Sequence, residues 1–250
     1  MLKVHELTEY LTDFLQTNLF KDYCPNGLQV QGQREISKIV TGVTASRALL
    51  EAAIAANADA ILVHHGIFWK GDSYPITDRL YERVRPLIQQ EVHLLAYHLP
   101  LDAHPVVGNN IQLAHKLGFE SCVSHPCEHG EGLLWVGECS LQPDALAMQI
   151  ERVLGRAPLH IAGRTADIKK VAWCTGAAQS LLEAAAQLGV DAYITGEASE
   201  RTFHEAKELG VHFYGAGHHA TERYGVQALG AHLAEKFSIA HQFIDIENPI

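Results

Sequence analysis

The chain has 250 residues, 47% of them hydrophobic, and a formal net charge of −10 from 19 Lys and Arg against 29 Asp and Glu. That apolar content can fill one large domain or two closely packed smaller ones, and it excludes a disordered chain. The acidic balance removes any global attraction to nucleic-acid backbones, so nucleic acid is not an expected partner, whereas a phosphorylated small molecule can still bind at a local cation centre.

The first segment, Met1-Leu2-Lys3-Val4-His5-Glu6-Leu7-Thr8-Glu9-Tyr10-Leu11, sets apolar side chains at helical spacing among acids. This predicts a first helix rather than a signal or transit peptide. No apolar run nears the ~20 residues that span a bilayer. Cys24, Cys122, Cys127, Cys139 and Cys174 form no C-x-x-C pair, the usage of reduced thiols, and a cytoplasmic location is expected. Pro25-Asn26-Gly27 reads as a turn.

A strand is predicted from Ile39 to Val43, then an Ala/Leu-rich helix, then a strand from Ala60 to Val63 that delivers His64-His65-Gly66. A third apolar strand, Val92-His93-Leu94-Leu95, leads to Tyr97-His98-Leu99-Pro100-Leu101-Asp102. The stretch Cys122-Val123-Ser124-His125-Pro126-Cys127-Glu128-His129 offers two Cys and two His, but its spacings leave too little chain to wrap one ion, so no structural zinc is expected there.

The pattern then repeats. Residues 36–65 align without gaps on 168–197, an offset of 132, with roughly a third of the positions identical, including Leu49-Leu50-Glu51-Ala52-Ala53 against Leu181-Leu182-Glu183-Ala184-Ala185. The second copy has strands from Val171 to Thr175 and from Ala192 to Thr195, the latter ending in Gly196-Glu197. Val211-His212-Phe213-Tyr214 echoes the strand at Val92 and leads to Gly217-His218-His219-Ala220-Thr221-Glu222. Two similar α/β halves are expected, residues 1–126 and 127–250, packed around a shared cleft. Gly215-Ala216-Gly217-His218-His219-Ala220 matches a dinucleotide fingerprint in form only, since it lies too near the C-terminus, and no Walker loop or G-x-S-x-G elbow occurs.

In open parallel sheets ligands gather at the carboxyl ends of strands. There the chain places His64, His65, Asp102, His218 and Glu222. Imidazoles with carboxylates suit a borderline divalent cation, and five ligands exceed the three that one catalytic zinc needs, so two ions are expected, with a helix beginning near Ala220 aiming His218 and Glu222 together. Any one of these histidines alone is more often an ordinary hydrogen-bonding group. The metal reading rests on their recurrence at equivalent strand ends. His93, His98, His104, His212 and His219 are expected to be structural or to orient ligands.

Pro25-Asn26-Gly27-Leu28-Gln29-Val30, Val63-His64-His65-Gly66, His98-Leu99-Pro100-Leu101-Asp102, Ile194-Thr195-Gly196-Glu197 and Gly217-His218-His219-Ala220-Thr221-Glu222 together resemble the NIF-three-like (NGG-interacting factor three) family, whose bacterial members are often named homologues of type 2 GTP cyclohydrolase I. The resemblance implies a three-layer α/β/α fold of two similar halves, a dinuclear metal site, and a ring-shaped homohexamer with the sites facing an internal cavity. It assigns His64 and His218 to one ion, His65 and Asp102 to the other, and Glu222 as the bridge. The chain lacks the long insertion between halves that some relatives carry and so resembles the short bacterial form.

Two divalent ions favour hydrolysis by activating water and polarising the electrophile. Applied to GTP, this is ring opening after attack at C8 with release of formate, and Glu197 and His98 are the candidates for general acid and base. A metal-dependent phosphoesterase or nucleotide hydrolase is the alternative, with Lys70, Arg79, Arg201 and Arg223 as candidate phosphate holders. A metal-binding interaction scaffold without turnover is a third. Zinc, manganese, iron, cobalt and nickel all suit this nitrogen and oxygen set.

Overall fold

Strands covered on both faces need near-continuous apolar runs, and those runs become the central strands of two sheets. The computed structural model describes residues 2–73, 75–127 and 130–250. In chain order its elements are α1 (Val4–Phe14), β1 (Gly27–Val30), β2 (Lys38–Thr44), α2 (Arg47–Ala55), β3 (Ala60–His65), α3 (Asp78–Gln89), β4 (His93–Ala96), α4 (Leu99–Ala103) and α5 (Asn109–Leu117). They continue with β5 (Glu120–Cys127), β6 (Gly130–Leu141), α6 (Pro143–Leu154), β7 (Leu159–Ile161), β8 (Ile168–Trp173), α7 (Leu182–Gln187), β9 (Ala192–Thr195), α8 (Glu200–Leu209), β10 (His212–Gly215), α9 (His218–Thr221), α10 (Arg223–Phe237) and β11 (Ala240–Phe243). These make two compact units, Met1–Leu101 with Gly225–Glu247, and Asp102–Tyr224 with Asn248–Ile250. None of the described helices is long and apolar enough to cross a membrane, and no disulfide joins the cysteines.

In the first unit the strand order is β1-β4-β3-β2-β11. β11, β2, β3 and β4 run parallel, with β1 antiparallel on the β4 edge. Because side chains alternate along a strand, Val40, Ile61, Val63, Leu94 and Ala96 form a core with Leu49, Leu50 and Ala53 of α2 and Val84 and Leu87 of α3. Thr41 points to the other face, where its Oγ1 lies 2.9 Å from Nε2 of His241. That ring packs against Gly230 of α10, and α1 joins α10 on this face through Phe14 stacked on His232 at 4.3 Å. The result is helices on both sides of a sheet.

The second unit has the order β5-β6-β8-β9-β10-β7, parallel from β8 to β10 and antiparallel at both margins. Leu117 of α5 and Leu146 and Ile150 of α6 pack on Trp135, Val171, Trp173, Ile194 and Tyr214. Tyr193 points to the opposite face and donates its hydroxyl to Ala178 O just before α7 (2.7 Å).

The duplication extends to individual hydrogen bonds. Asp59 Oδ2 accepts the backbone N–H groups of Ser37 and Lys38 at 2.9 and 3.0 Å. Asp191 Oδ2 accepts those of Lys169 and Lys170 at the same distances. Lys38 Nζ donates to Ala56 O and Lys170 Nζ to Leu188 O, both at 2.6 Å. His93 and His212 open β4 and β10, and each gives its Nε2 proton to a backbone carbonyl, Arg34 O at 2.8 Å and Thr165 O at 2.9 Å. A carbonyl only accepts, so both rings are structural donors.

Candidate metal centre

In the first unit the apolar run of β3, which lies between β2 and β4, ends in His64 and His65. His64 is fully buried, and its Nδ1 donates to Tyr97 O beyond β4 at 3.0 Å. In the neutral ring this puts the lone pair on Nε2. His65 is held from the other side, its Nδ1 3.0 Å from the Thr44 hydroxyl at the end of β2. His98 completes the group. His64, His65 and His98 each offer a ring nitrogen within 4.8 Å of the others.

His98 is fixed by Asp22, whose side chain is 3% exposed. Asp22 Oδ1 accepts His98 Nδ1 at 2.7 Å and Tyr23 N at 2.6 Å. Oδ2 accepts Asn26 Nδ2 at 2.8 Å and Leu99 N at 3.0 Å. Burial alone would raise the Asp22 pKa, but the hydrogen bond and charge of His98, with the Asn26 and Tyr23 donors, outweigh it and hold the carboxyl at about 2. Asp22, Cys24 and His98 form a second group with possible ligand atoms within 4.8 Å.

The segment from Pro25 to Gln29, of which the residues by themselves mark Pro25-Asn26-Gly27 as a turn, clamps the strand-end loops. Asn26 Oδ1 accepts His98 N at 2.7 Å. Gln29 Oε1 accepts Ile67 N at 2.9 Å, and Gln29 Nε2 donates to Pro25 O at 3.0 Å. The Gln29 amide lies so close to Gly66 that a Cβ there would come within 2.3 Å of it. Asp22 and Gln29 are the residues of this hydrogen-bonded frame that sequence reasoning passed over. The only signal for Gln29 was its place in the family-like Pro25–Val30 run.

In the second unit Asp102 is 5% exposed. Its Oδ1 accepts Asn109 Nδ2 at 2.9 Å and the Thr175 hydroxyl at 3.2 Å. His218 Nδ1 lies 2.6 Å from Glu197 Oε1, and its Nε2 lies 3.1 Å from Oε2 of the buried Glu222. Burial alone would lower the His218 pKa, but the hydrogen bonds and charges of Glu222 and Glu197 raise it to about 9. Helix α9 starts at His218 rather than near Ala220, and Glu222 closes it. One helical turn therefore brings this pair together. Gly176, at φ +71°, makes room for the carboxylate, since a Cβ there would lie 2.2 Å from Glu222 Oε1 and 3.2 Å from His218 Nε2.

These side chains fit divalent cations. His64, His65 and His218 each have Nδ1 engaged by the chain, the arrangement that orients a ring to present Nε2 to a metal. Asp102 and Glu222 supply buried oxygens.

Other candidates have different duties. The thiols of Cys122 and Cys127 contact Phe119 O and Gly130 O. Among the described residues no metal-holding group includes them or His125, while Glu128 and His129 lie outside the described residues. Arg223 Nη2 donates to Leu154 O at 2.7 Å, Arg201 pairs with Glu205 at 3.5 Å, and Lys70 and Arg79 are exposed.

The family described as Duf34/NIF3 (NGG1p interacting factor 3) matches residues 2–249. The chain is 50% identical to a protein of Allochromatium vinosum, over 100% of this chain and 98% of that one. It is 52% identical to a protein of Vibrio cholerae, over 98% of each. Both are called "GTP cyclohydrolase 1 type 2 homolog". Among solved structures it resembles protein ybgI, described as of unknown function, with TM-score 0.94, 47% identity and 100% of both chains covered. A Thermus thermophilus protein gives TM-score 0.89 at 33% identity, with 98% of this chain and 99% of that one covered.

Proposed function

The chain belongs to the Duf34/NIF3 family, and from that premise we propose that it is a hydrolase acting on a nucleotide with two divalent ions, whose ligands are His64, His65, Asp102, His218 and Glu222. His64 and His218 serve one ion, His65 and Asp102 the other, and Glu222 both. The observation that carries this reading is the common state of the three imidazoles, each tied through Nδ1 to a carbonyl, a hydroxyl or a carboxylate. The curated relatives' printed name makes GTP the first substrate to test, with ring opening and formate as the reaction and product.

Two such ions, when bound, lower the pKa of a water and polarise the electrophile. The chain's own residues handle the proton. His98 gives Nδ1–H to Asp22, so the neutral ring takes a proton at Nε2 and returns it to a leaving nitrogen, while the Asp22 carboxylate stabilises the charged ring. Glu197 has Oε1 on His218 Nδ1, which favours it as the group that orients this ligand over a role as free base. The phosphoesterase alternative draws less support, since Arg201 is paired with Glu205 and Arg223 is bonded to a backbone carbonyl.

The test is to purify the chain without added metal, count bound ions, and assay GTP. About two ions per chain and metal-dependent formate are expected, with both lost in His64→Ala and Glu222→Ala. Free phosphate instead of formate would shift the reading to a phosphoesterase. Bound metal without turnover on a nucleotide panel would leave a binding scaffold. The homohexamer belongs to the same proposal, and light scattering that gives a mass other than six chains would remove it.

A further inference from the structure

Of the three tryptophans, two are ordinary core residues. Trp135 and Trp173 are 5% and 0% exposed, and their indole N–H groups donate to Gly132 O at 2.7 Å and Asn110 O at 2.9 Å. Buried indoles normally find such partners. Trp69 differs on each count. It is partly exposed, and its N–H has no acceptor among the described residues.

Its position explains the difference. Trp69 follows His65 by four residues, and its ring centroid lies 5.8 Å from that of His65 and 5.2 Å from that of His98, at interplanar angles of 51° and 84°. Both histidines meet the indole tilted or edge-on. Among the described residues no ring lies flat on it. Nor is the residue on a loose loop, for Ile67 N donates to Gln29 Oε1 at 2.9 Å, Lys70 N to Tyr23 O at 2.7 Å and Asp72 N to Trp69 O at 3.1 Å. The backbone thus holds a large aromatic surface beside the histidine group, with an indole donor available.

We propose that Trp69 is the platform on which the purine base of a nucleotide stacks. This rests on the nucleotide reading above and adds the residue that selects for a flat nitrogen heterocycle. An indole face attracts any π-face, whereas a sugar phosphate offers none. Base-aromatic contacts of this kind change affinity by roughly 10- to 100-fold when the ring is removed.

The experiment measures binding rather than turnover, on protein treated with EDTA and on protein reloaded with Zn²⁺. Because the other tryptophans are buried, the emission difference between wild type and Trp69→Phe isolates Trp69. GMP should quench that difference saturably, and ribose 5-phosphate should leave it unchanged. By calorimetry, Trp69→Leu should bind GMP roughly 10- to 100-fold more weakly, and Trp69→Phe, which keeps a π-face, should retain most of the affinity. Equal GMP affinity in wild type and Trp69→Leu overturns the proposal, as does the absence of GMP binding in both metal states. If Trp69→Leu does not fold, the quenching comparison still decides. Quenching by GMP without formate from GTP would sink the hydrolase and keep the platform. Formate release with an unaltered KM in Trp69→Leu would do the reverse.

Discussion

Asp22 Oδ1 accepts a 2.7 Å hydrogen bond from His98 Nδ1, while Oδ2 of the same carboxylate accepts the backbone N–H of Leu99 at the start of α4. One buried group thus sets the orientation of a candidate acid–base ring and the path of the segment that runs on to Asp102. Asp22→Asn exchanges an acceptor for a donor facing His98 and should cost about 1–3 kcal/mol in chemical denaturation. His98→Ala keeps the contact to Leu99 and should lose roughly 10²- to 10⁴-fold in turnover with a smaller effect on folding. If the two variants lose stability equally, Asp22 has no role beyond His98.

The same carboxylate predicts an acid limb. Its folded pKa, about 2, lies below the ordinary 3.8, so its contribution is fully present above pH ~4 and is lost as pH falls through the folded value. Wild type should therefore lose stability faster than Asp22→Asn between about pH 4 and 2. Parallel curves for the two proteins would remove Asp22 as the source.

His218 and Glu222 give a pair of tests that separate orientation from room. Glu197→Gln keeps a side chain of similar shape beside His218 Nδ1 but removes its charge, and should weaken metal binding roughly 10- to 100-fold by calorimetry. Gly176→Ala drives a methyl into the space of Glu222 Oε1 and requires a non-glycine residue at φ +71°. It should reduce metal content below that of wild type and cost about 1–2 kcal/mol of stability. Normal metal content in Gly176→Ala would mean that Glu222 is not a ligand.

Metal removal should appear in folding as well. Ions that bind only the folded chain at a hundredfold excess over Kd add about 2.7 kcal/mol. For a chain of this size that is a fall of roughly 5–10 °C in melting temperature on treatment with chelator. Restoration by Zn²⁺ or Mn²⁺ should be complete in wild type and absent in His65→Ala. An unchanged melting temperature after verified removal would count against metal-coupled stability.

The central strands could be read from the sequence because parallel strands buried on both faces leave uninterrupted apolar runs, as in Ala60–Val63 and Ala192–Thr195, and because the second copy repeats the first. The margins were less legible. β11 shows an alternating exposed pattern with no apolar run, and only its pairing with β2 reveals that the chain returns to the first sheet. β1 and the β5–β6 hairpin are likewise short or half exposed. Among the site residues, His64, His65 and His218 stood out by type and by strand-end position. Asp22 did not, since its partner His98 lies 76 residues away and nothing local distinguishes it from a surface acid. The start of α9 at His218 was missed because its N-cap, Gly217, has no side chain to bond the first turn and so gives a weaker signal than Ser, Asp or Asn.

His241 and Gly230 supply a test in which two effects have opposite signs. Replacing a helical Gly by Ala ordinarily stabilises by about 1 kcal/mol. In α10, however, a Cβ on Gly230 would lie 2.1 Å from His241 Nε2, the nitrogen that bonds Thr41 Oγ1 at 2.9 Å. The ring must swing away and give up that bond, so Gly230→Ala should destabilise by about 1–3 kcal/mol despite its better helix propensity. Burial also lowers the His241 pKa, which means that the unfolded chain binds the proton more readily. Its share of stability is therefore present above about pH 6.5 and declines as pH falls below it. Urea denaturation of wild type and His241→Gln between pH 7 and 5 should show the wild type losing stability faster, and curves of equal slope would mean that the ring titrates as it does in the unfolded chain.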